Sequence, residues 1–259
     1  MSRFFARFNN YCDIENPGSI HADILAKLEK CDKAELECLF AEFESVQNRR
    51  AECLKEKFGE AFSKYSEKRI LFLGDSITKD NLSYRAAVTR AANLKARNLA
   101  VSGATSPMLL YSAKVNLKSF CPDLVSLLIG GNDSTLIGRE RLEQVSLSEY
   151  KRNVSAMVRW SKEAGAEVLL FEICPVHEAR FEARYSTREK FHSNENIKRY
   201  NDALYEIAKE YHIPLHSNQW LLEDPDLYYE PDGIHLTETA TEVYAEKWLF
   251  ALTKLGNGE

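Results

Sequence analysis

The chain has 259 residues, 44% hydrophobic, 11% aromatic and 28% charged, which supplies apolar surface for one large domain and excludes a disordered polymer. The net charge of −5, with both signs interleaved, leaves no positive stripe to follow a phosphate backbone, so nucleic acid is not an expected partner. No run approaches the ~20 apolar residues of a membrane span, and the opening MSRFFARFNNYC lacks the continuous apolar stretch of a signal peptide. A soluble, cytoplasmic chain without membrane insertion is the expectation.

Residues 1–67 are read as an N-terminal helical extension, because they carry helical periodicity and almost no strand-like runs. A short helix is predicted from Ser19 as N-cap through Ile20, Ile24, Leu25 and Leu28. A longer one follows, with Asp32 and Glu35 as a capping box and Leu36, Leu39, Phe40, Phe43, Val46, Leu54 and Phe58 along one face. That face must be buried. Packing on the chain's own second region is the first expectation, a homo-oligomer through these helices or a cover over a functional site are the alternatives, and the mixed charges make membrane binding a poor third choice.

Residues 68–259 alternate short apolar runs with longer amphipathic ones, the pattern of a parallel sheet flanked by helices. Strands are predicted at Arg69–Leu73, Asn98–Val101, Leu124–Ile129, Val168–Ile173 and Ile213–His216, and helices at roughly 80–96, 148–164, 194–211 and 237–254. This is an α/β three-layer α/β/α sandwich on a five-stranded parallel sheet. Two long connections, 134–147 and 176–193, are expected to act as lids. In the second, Arg180, Arg184, Arg188 and Lys190 are answered in sequence by Glu178, Glu182 and Glu189, which favours a neutral substrate.

Ligands of such sheets bind beyond the carboxyl ends of the strands, where four short blocks fall. Gly74-Asp75-Ser76 follows the first strand, Ser102-Gly103 the second, Gly130-Gly131-Asn132-Asp133 the third, and Asp232-Gly-Ile-His235 precedes the last helix. A serine hydroxyl needs a base, and an imidazole steadied by a carboxylate is a common one. Three positions apart, Asp232 can hold one ring nitrogen of His235 while the other faces Ser76. The amides of Ser76 and Gly103 and the side chain of Asn132 are candidate donors for an oxyanion.

The blocks LFLGDSIT, NLAVSGATS, LIGGNDS and DGIHLT resemble, in order, those of the SGNH (GDSL) hydrolase family over roughly residues 69–254. The resemblance implies a flavodoxin-like fold and hydrolysis of a small-molecule ester, thioester or carbohydrate-linked acetyl group. It also implies Ser76 as nucleophile, Asp232 and His235 as the rest of a triad, and Gly103 and Asn132 as oxyanion donors beside the Ser76 amide. The α/β-hydrolase elbow GxSxG is disfavoured, since Thr78 stands where its second Gly belongs. Acyl transfer by the same triad is the alternative activity. A non-catalytic binding or assembly protein is the alternative outside catalysis.

Other polar residues carry plainer readings. Asp75 and Asp133 are expected to brace turns through backbone hydrogen bonds. His177, beside Glu178, is a rim residue. His21, His192, His212 and His216 are surface or satisfied, partly buried imidazoles without function, and Tyr228-Tyr229 either pack or line a pocket. Cys12, Cys31, Cys38, Cys53, Cys121 and Cys174 form no CxxC and are read as reduced thiols, so no metal and no cofactor is expected.

Overall fold

The computed structural model describes residues 3–15 and 22–255. The predicted cap at Ser19, Ile20 and His21 lie outside the described residues. In chain order the elements begin with α1 (Arg3–Phe8), α2 (Ala22–Glu29) and α3 (Lys33–Phe58), followed by β1 (Arg69–Gly74), α4 (Ser76–Lys79), α5 (Tyr84–Ala91) and β2 (Lys95–Asn98). Next come α6 (Ser106–Phe120), β3 (Leu124–Leu128), β4 (Leu136–Ile137), β5 (Leu142–Glu143), α7 (Leu147–Glu163) and β6 (Glu167–Phe171). The chain continues with α8 (Glu178–Tyr185), β7 (Lys190–Phe191), α9 (Asn194–Tyr211), β8 (Leu215–His216), α10 (Pro225–Tyr228) and α11 (Glu238–Leu255).

Five strands form a sheet in the order β2-β1-β3-β6-β8, every pair parallel. Strands β1, β3 and β6 alternate between two cores, as a pleat with period two requires. Ile70, Phe72, Leu124, Leu128, Leu169 and Phe171 face the layer that contains α5 and α11. Leu71, Leu73, Val125, Leu127, Val168 and Leu170 face the layer of α6, α7 and α9. The three-layer α/β sandwich expected from sequence is therefore present. The order in which strands are added reverses at β1, with β2 on one side and β3 on the other, so the crevice lies at the carboxyl ends of β1 and β3.

The extension folds onto this sandwich. Asp32 caps α3 by accepting from the Ala34 amide at 2.6 Å, not from the residue-35 amide of an ordinary capping box. Leu36, Phe40, Phe43 and Val46 are buried with Leu25, Ala6 and Leu82 in a third core, while Leu54 joins the core of α5 and α11. The apolar face of α3 is thus covered by the chain itself, whereas Ile24 and Leu28 of α2 stay about half exposed.

Three departures from the sequence reading have physical causes. The second strand is Lys95–Asn98, not Asn98–Val101. It is an edge strand whose polar side chains face solvent, Arg97 bonding Asn116 and lying over Phe120. Helix 80–96 contracts to Tyr84–Ala91, because residues 79–83 give their polar groups to the N-terminal segment: the Asn81 amide donates to the Arg7 carbonyl and Asn81 Nδ2 to that of Ala6. Helix α6 was not foreseen, since exposed Met108, Tyr111 and Val115 blur its apolar stripe of Leu109, Ala113 and Leu117. The two expected lids join in one antiparallel sheet, β5-β4-β7, with Leu136 opposite Phe191.

Candidate active site

The structure brings the predicted Ser76, His235 and Asp232 together. Ser76 opens α4 directly after β1, and Asp75 caps that turn by accepting from the Ile77 amide at 3.0 Å. Asp232 and His235 sit in a tight hairpin, closed by the pairing of Tyr229 with Leu236 and by the Glu230 amide donating to the His235 carbonyl at 2.8 Å. His235 Nε2 lies 2.9 Å from Ser76 Oγ, and Nδ1 lies 2.6 Å from Asp232 Oδ2.

Since the carboxylate accepts, Nδ1 carries the ring proton and Nε2 offers a lone pair to the serine hydroxyl. The second oxygen of Asp232 accepts from the amides of Ile234 and His235, each at 3.0 Å. Burial opposes the charge of Asp232, yet His235 and these two amides hold its carboxyl below the ordinary range. Gly233, at φ +75°, makes the hairpin possible, because a Cβ there would lie 2.6 Å from the His177 carbonyl oxygen.

The predicted amide donors share the same rim. Gly103 has φ +84°, where an L side chain is strained although space is open. Asn132 Nδ2 donates one hydrogen to the Ala104 carbonyl at 2.9 Å, which ties the third block to the second and leaves one amide hydrogen for a ligand. Asp133 reaches back to the start of α6, accepting from the Ser106 amide at 2.9 and 3.1 Å. Asp75 and Asp133 thus brace turns as expected. Burial pushes each carboxyl up to about 6.

A cavity of ≈ 330 Å³ lies beside Ser76, with Gly103, Asn132, His235, Phe8 and His192 in its walls. His192 departs from its expectation. It follows β7, donates from Nε2 to the Gly131 carbonyl at 2.7 Å, and has a buried Nδ1 without a hydrogen-bond partner among the described residues. Burial lowers its pKa to about 4, so the imidazole is neutral and Nδ1 is a bare acceptor.

Lys190, also in the wall, has no carboxylate partner among the described residues, and burial lowers its pKa. Of the three glutamates set against this basic group in sequence, Glu189 turns to Arg139 and Glu178 to the Asn194 amide.

The remaining candidates fall away from the chemistry. His177 caps α8 and meets Asp226 at 3.3 Å. His212 ends α9, while His216 packs on Phe171 and is kept neutral by burial, its pKa lowered to about 4. Tyr229 is buried with its hydroxyl on the Pro175 carbonyl at 2.6 Å, and Tyr228 packs on Trp220. Cys31, Cys38, Cys53, Cys121 and Cys174 are free thiols. Among the described residues no cluster of three or more His, Cys, Asp or Glu side chains can hold a metal ion, and no helix is long and apolar enough to cross a membrane.

Sequence reasoning missed the part of the rim made by residues 3–15. The Phe8 ring lies 4.1 Å from the His235 ring, centroid to centroid, and Phe4 meets it edge-on at 5.3 Å. The only available signal was the aromatic and arginine content of RFFARF, which carries no period that points to a site.

The fold is shared with solved hydrolases of low sequence identity. The psychrotrophic esterase EstA from Pseudoalteromonas sp. is 20% identical, with a TM-score of 0.56 over 74% of this chain and 100% of its own. An acetylxylan esterase from Geobacillus stearothermophilus is 20% identical, with 0.55 over 72% and 94%. The lipase/acylhydrolase from Enterococcus faecalis is 16% identical, with 0.59 over 72% and 96%. No curated protein is similar enough in sequence to stand as a relative. Residues 72–243, which contain the serine turn, both donor loops and the histidine hairpin, match the family described as GDSL-like Lipase/Acylhydrolase. The chain therefore belongs to that family and is an SGNH-type esterase/acylhydrolase.

Proposed function

We propose that the chain hydrolyses small-molecule carboxylic esters through an acyl-enzyme on Ser76. The observation that carries this reading is the continuous hydrogen-bond relay from Ser76 Oγ through His235 to Asp232, at 2.9 and 2.6 Å. His235 Nε2 takes the hydroxyl proton as Oγ bonds to the ester carbonyl carbon, and the carbonyl oxygen becomes an oxyanion held by the amides of Ser76 and Gly103 and by Asn132 Nδ2. The C–O bond to the alcohol breaks as Nε2–H protonates it. A water, deprotonated by the same nitrogen, then releases the acid and restores Ser76.

A cavity of ≈ 330 Å³ is at the small end for ligand sites and suits a short acyl group, acetyl above all, on a polar alcohol such as a carbohydrate. Lys190, in the wall of the cavity, provides a polar side chain for its hydroxyls.

Reaction of the purified chain with a fluorophosphonate is expected to add one adduct, located at Ser76 by peptide mass spectrometry. A folded chain that stays unlabelled overturns the reading. Product analysis with added sugar or alcohol acceptors separates hydrolysis from acyl transfer.

A further inference from the structure

Residues 3–15 lie outside the family match at 72–243, yet they bond to the residues next to His235 and Gly103, two of the groups proposed to act in the reaction. Arg7 is buried between Asp80 and Glu230, both at 2.6 Å, and donates to the Leu236 carbonyl at 2.8 Å, one residue after His235. Asn9 shapes the turn after α1 by accepting from the amides of Tyr11 and Cys12. That turn presents Asn10 to Ser102. The Ser102 amide donates to Asn10 Oδ1 at 2.7 Å, Asn10 Nδ2 donates to the Ser102 carbonyl at 3.3 Å, and Ser102 Oγ donates to the Phe8 carbonyl at 2.5 Å.

Ser102 immediately precedes Gly103, the residue whose amide is proposed to face the oxyanion. A glycine has no side chain to pack, so its amide direction is set by the hydrogen bonds of its neighbours. On one flank these are the Ala104 amide's bond to the Val101 carbonyl at 2.9 Å and the Asn132 bond to the Ala104 carbonyl. On the other they are the three bonds to Phe8 and Asn10. A donor displaced by ~1 Å from a developing charge costs turnover without weakening substrate binding to the same degree. Phe8 acts differently, since its ring is both a wall of the cavity and a cover on His235.

We propose that Asn10 is a positioning residue for the Gly103 amide and that Phe8 sets the acyl selectivity of the cavity, so that segment 3–15 completes the active site. This rests on the proposed roles of Ser76, Gly103 and His235.

The test uses the full chain with p-nitrophenyl acetate and butyrate, fluorophosphonate labelling rates and thermal denaturation. Asn10→Ala is expected to lower kcat by ~3- to 10-fold with KM within about twofold and the folded state intact. Asn10→Asp, which keeps the acceptor for the Ser102 amide, recovers most of that loss. Phe8→Ala is expected to raise KM for the acetate and shift preference toward the butyrate by roughly fivefold, with Phe8→Leu close to the wild type.

Unchanged kcat, KM and labelling rate in Asn10→Ala, with wild-type acyl preference in Phe8→Ala, overturn the proposal while leaving the esterase reading intact. Equal losses in Asn10→Ala and Asn10→Asp that follow the folded fraction overturn it too, as a purely structural role. A wild-type chain that neither labels nor hydrolyses any ester removes both readings together. If Phe8→Ala does not fold, the Asn10 pair decides alone.

Discussion

The two halves of the rim are held by different contacts. The turns that present Ser76, Asp232 and His235 are closed within three residues, by Asp75 on the Ile77 amide and by Asp232 on the amides of Ile234 and His235. The segment that carries Phe8 and Asn10 is held by partners far along the chain, Arg7 on Asp80 and Glu230 and Asp13 on Arg85. Locally closed turns survive the loss of distant contacts. A segment anchored by buried ion pairs depends on every partner, because removing one leaves a charge without compensation.

The largest expected effect tests the locally built half. Ser76→Ala should lower ester turnover by roughly 10⁴-fold or more and abolish fluorophosphonate labelling, with a denaturation midpoint close to that of the wild type. Comparable turnover in the variant would mean that the chemistry resides elsewhere.

Arg7→Leu probes the long-range half. Arg7 and Asp80 side chains are 4% and 2% exposed, so the variant should lose about 3–5 kcal/mol in urea denaturation. The double change Arg7→Leu with Asp80→Leu should recover only part of it, since Glu230 and the Leu236 carbonyl still lose their partner. A single variant within ~1 kcal/mol of wild type would erase the contrast between the halves.

Gly233→Ala sharpens the comparison from the other side, since one methyl must strain a φ of +75° and collide with the His177 carbonyl. We expect a destabilisation of about 2 kcal/mol and a turnover loss beyond 10-fold, because the turn that aims Asp232 at His235 is disturbed. Circular dichroism melts and steady-state rates measure both.

The smallest effects concern pH, and the two halves carry opposite signs. Burial raises Asp133 to about 6, so its native form binds protons more tightly than the unfolded chain. The stability tied to it is present below pH ~4 and is lost as pH rises through about 6. Asp133→Asn should therefore gain on the wild type by about 1–2 kcal/mol between pH 4 and 7. Although burial opposes its charge, Asp13 is held well below the usual carboxylate range by Arg85 and Lys79. Its contribution is present above pH ~4 and is lost on acidification, so Asp13→Asn should cost most near neutrality. Denaturant midpoints measured across pH give both slopes.

Much of the sheet domain was legible in the sequence. β1, β3 and β6 are buried on both faces and read as continuous apolar runs, whereas β2 is half exposed, carries Lys95 and Arg97, and gives no such run. All five candidate site residues come to one rim because each stands next to a strand end or helix start. His192 was misread because its partner, the Gly131 carbonyl, is 61 residues away and is a backbone atom that no side-chain pattern announces.

Sequence alone determined the alternation of strand and helix, the burial of β1, β3 and β6 on two faces, and the spacing of Asp232 and His235, since hydrophobic burial and short backbone turns repeat over a few residues. Only the tertiary structure decided that RFFARF covers the histidine, that Asn10 grips the loop of Gly103, and that the two long connections zip into one small sheet. Those arrangements depend on polar pairs closed across the whole chain, and such pairs leave no period in sequence.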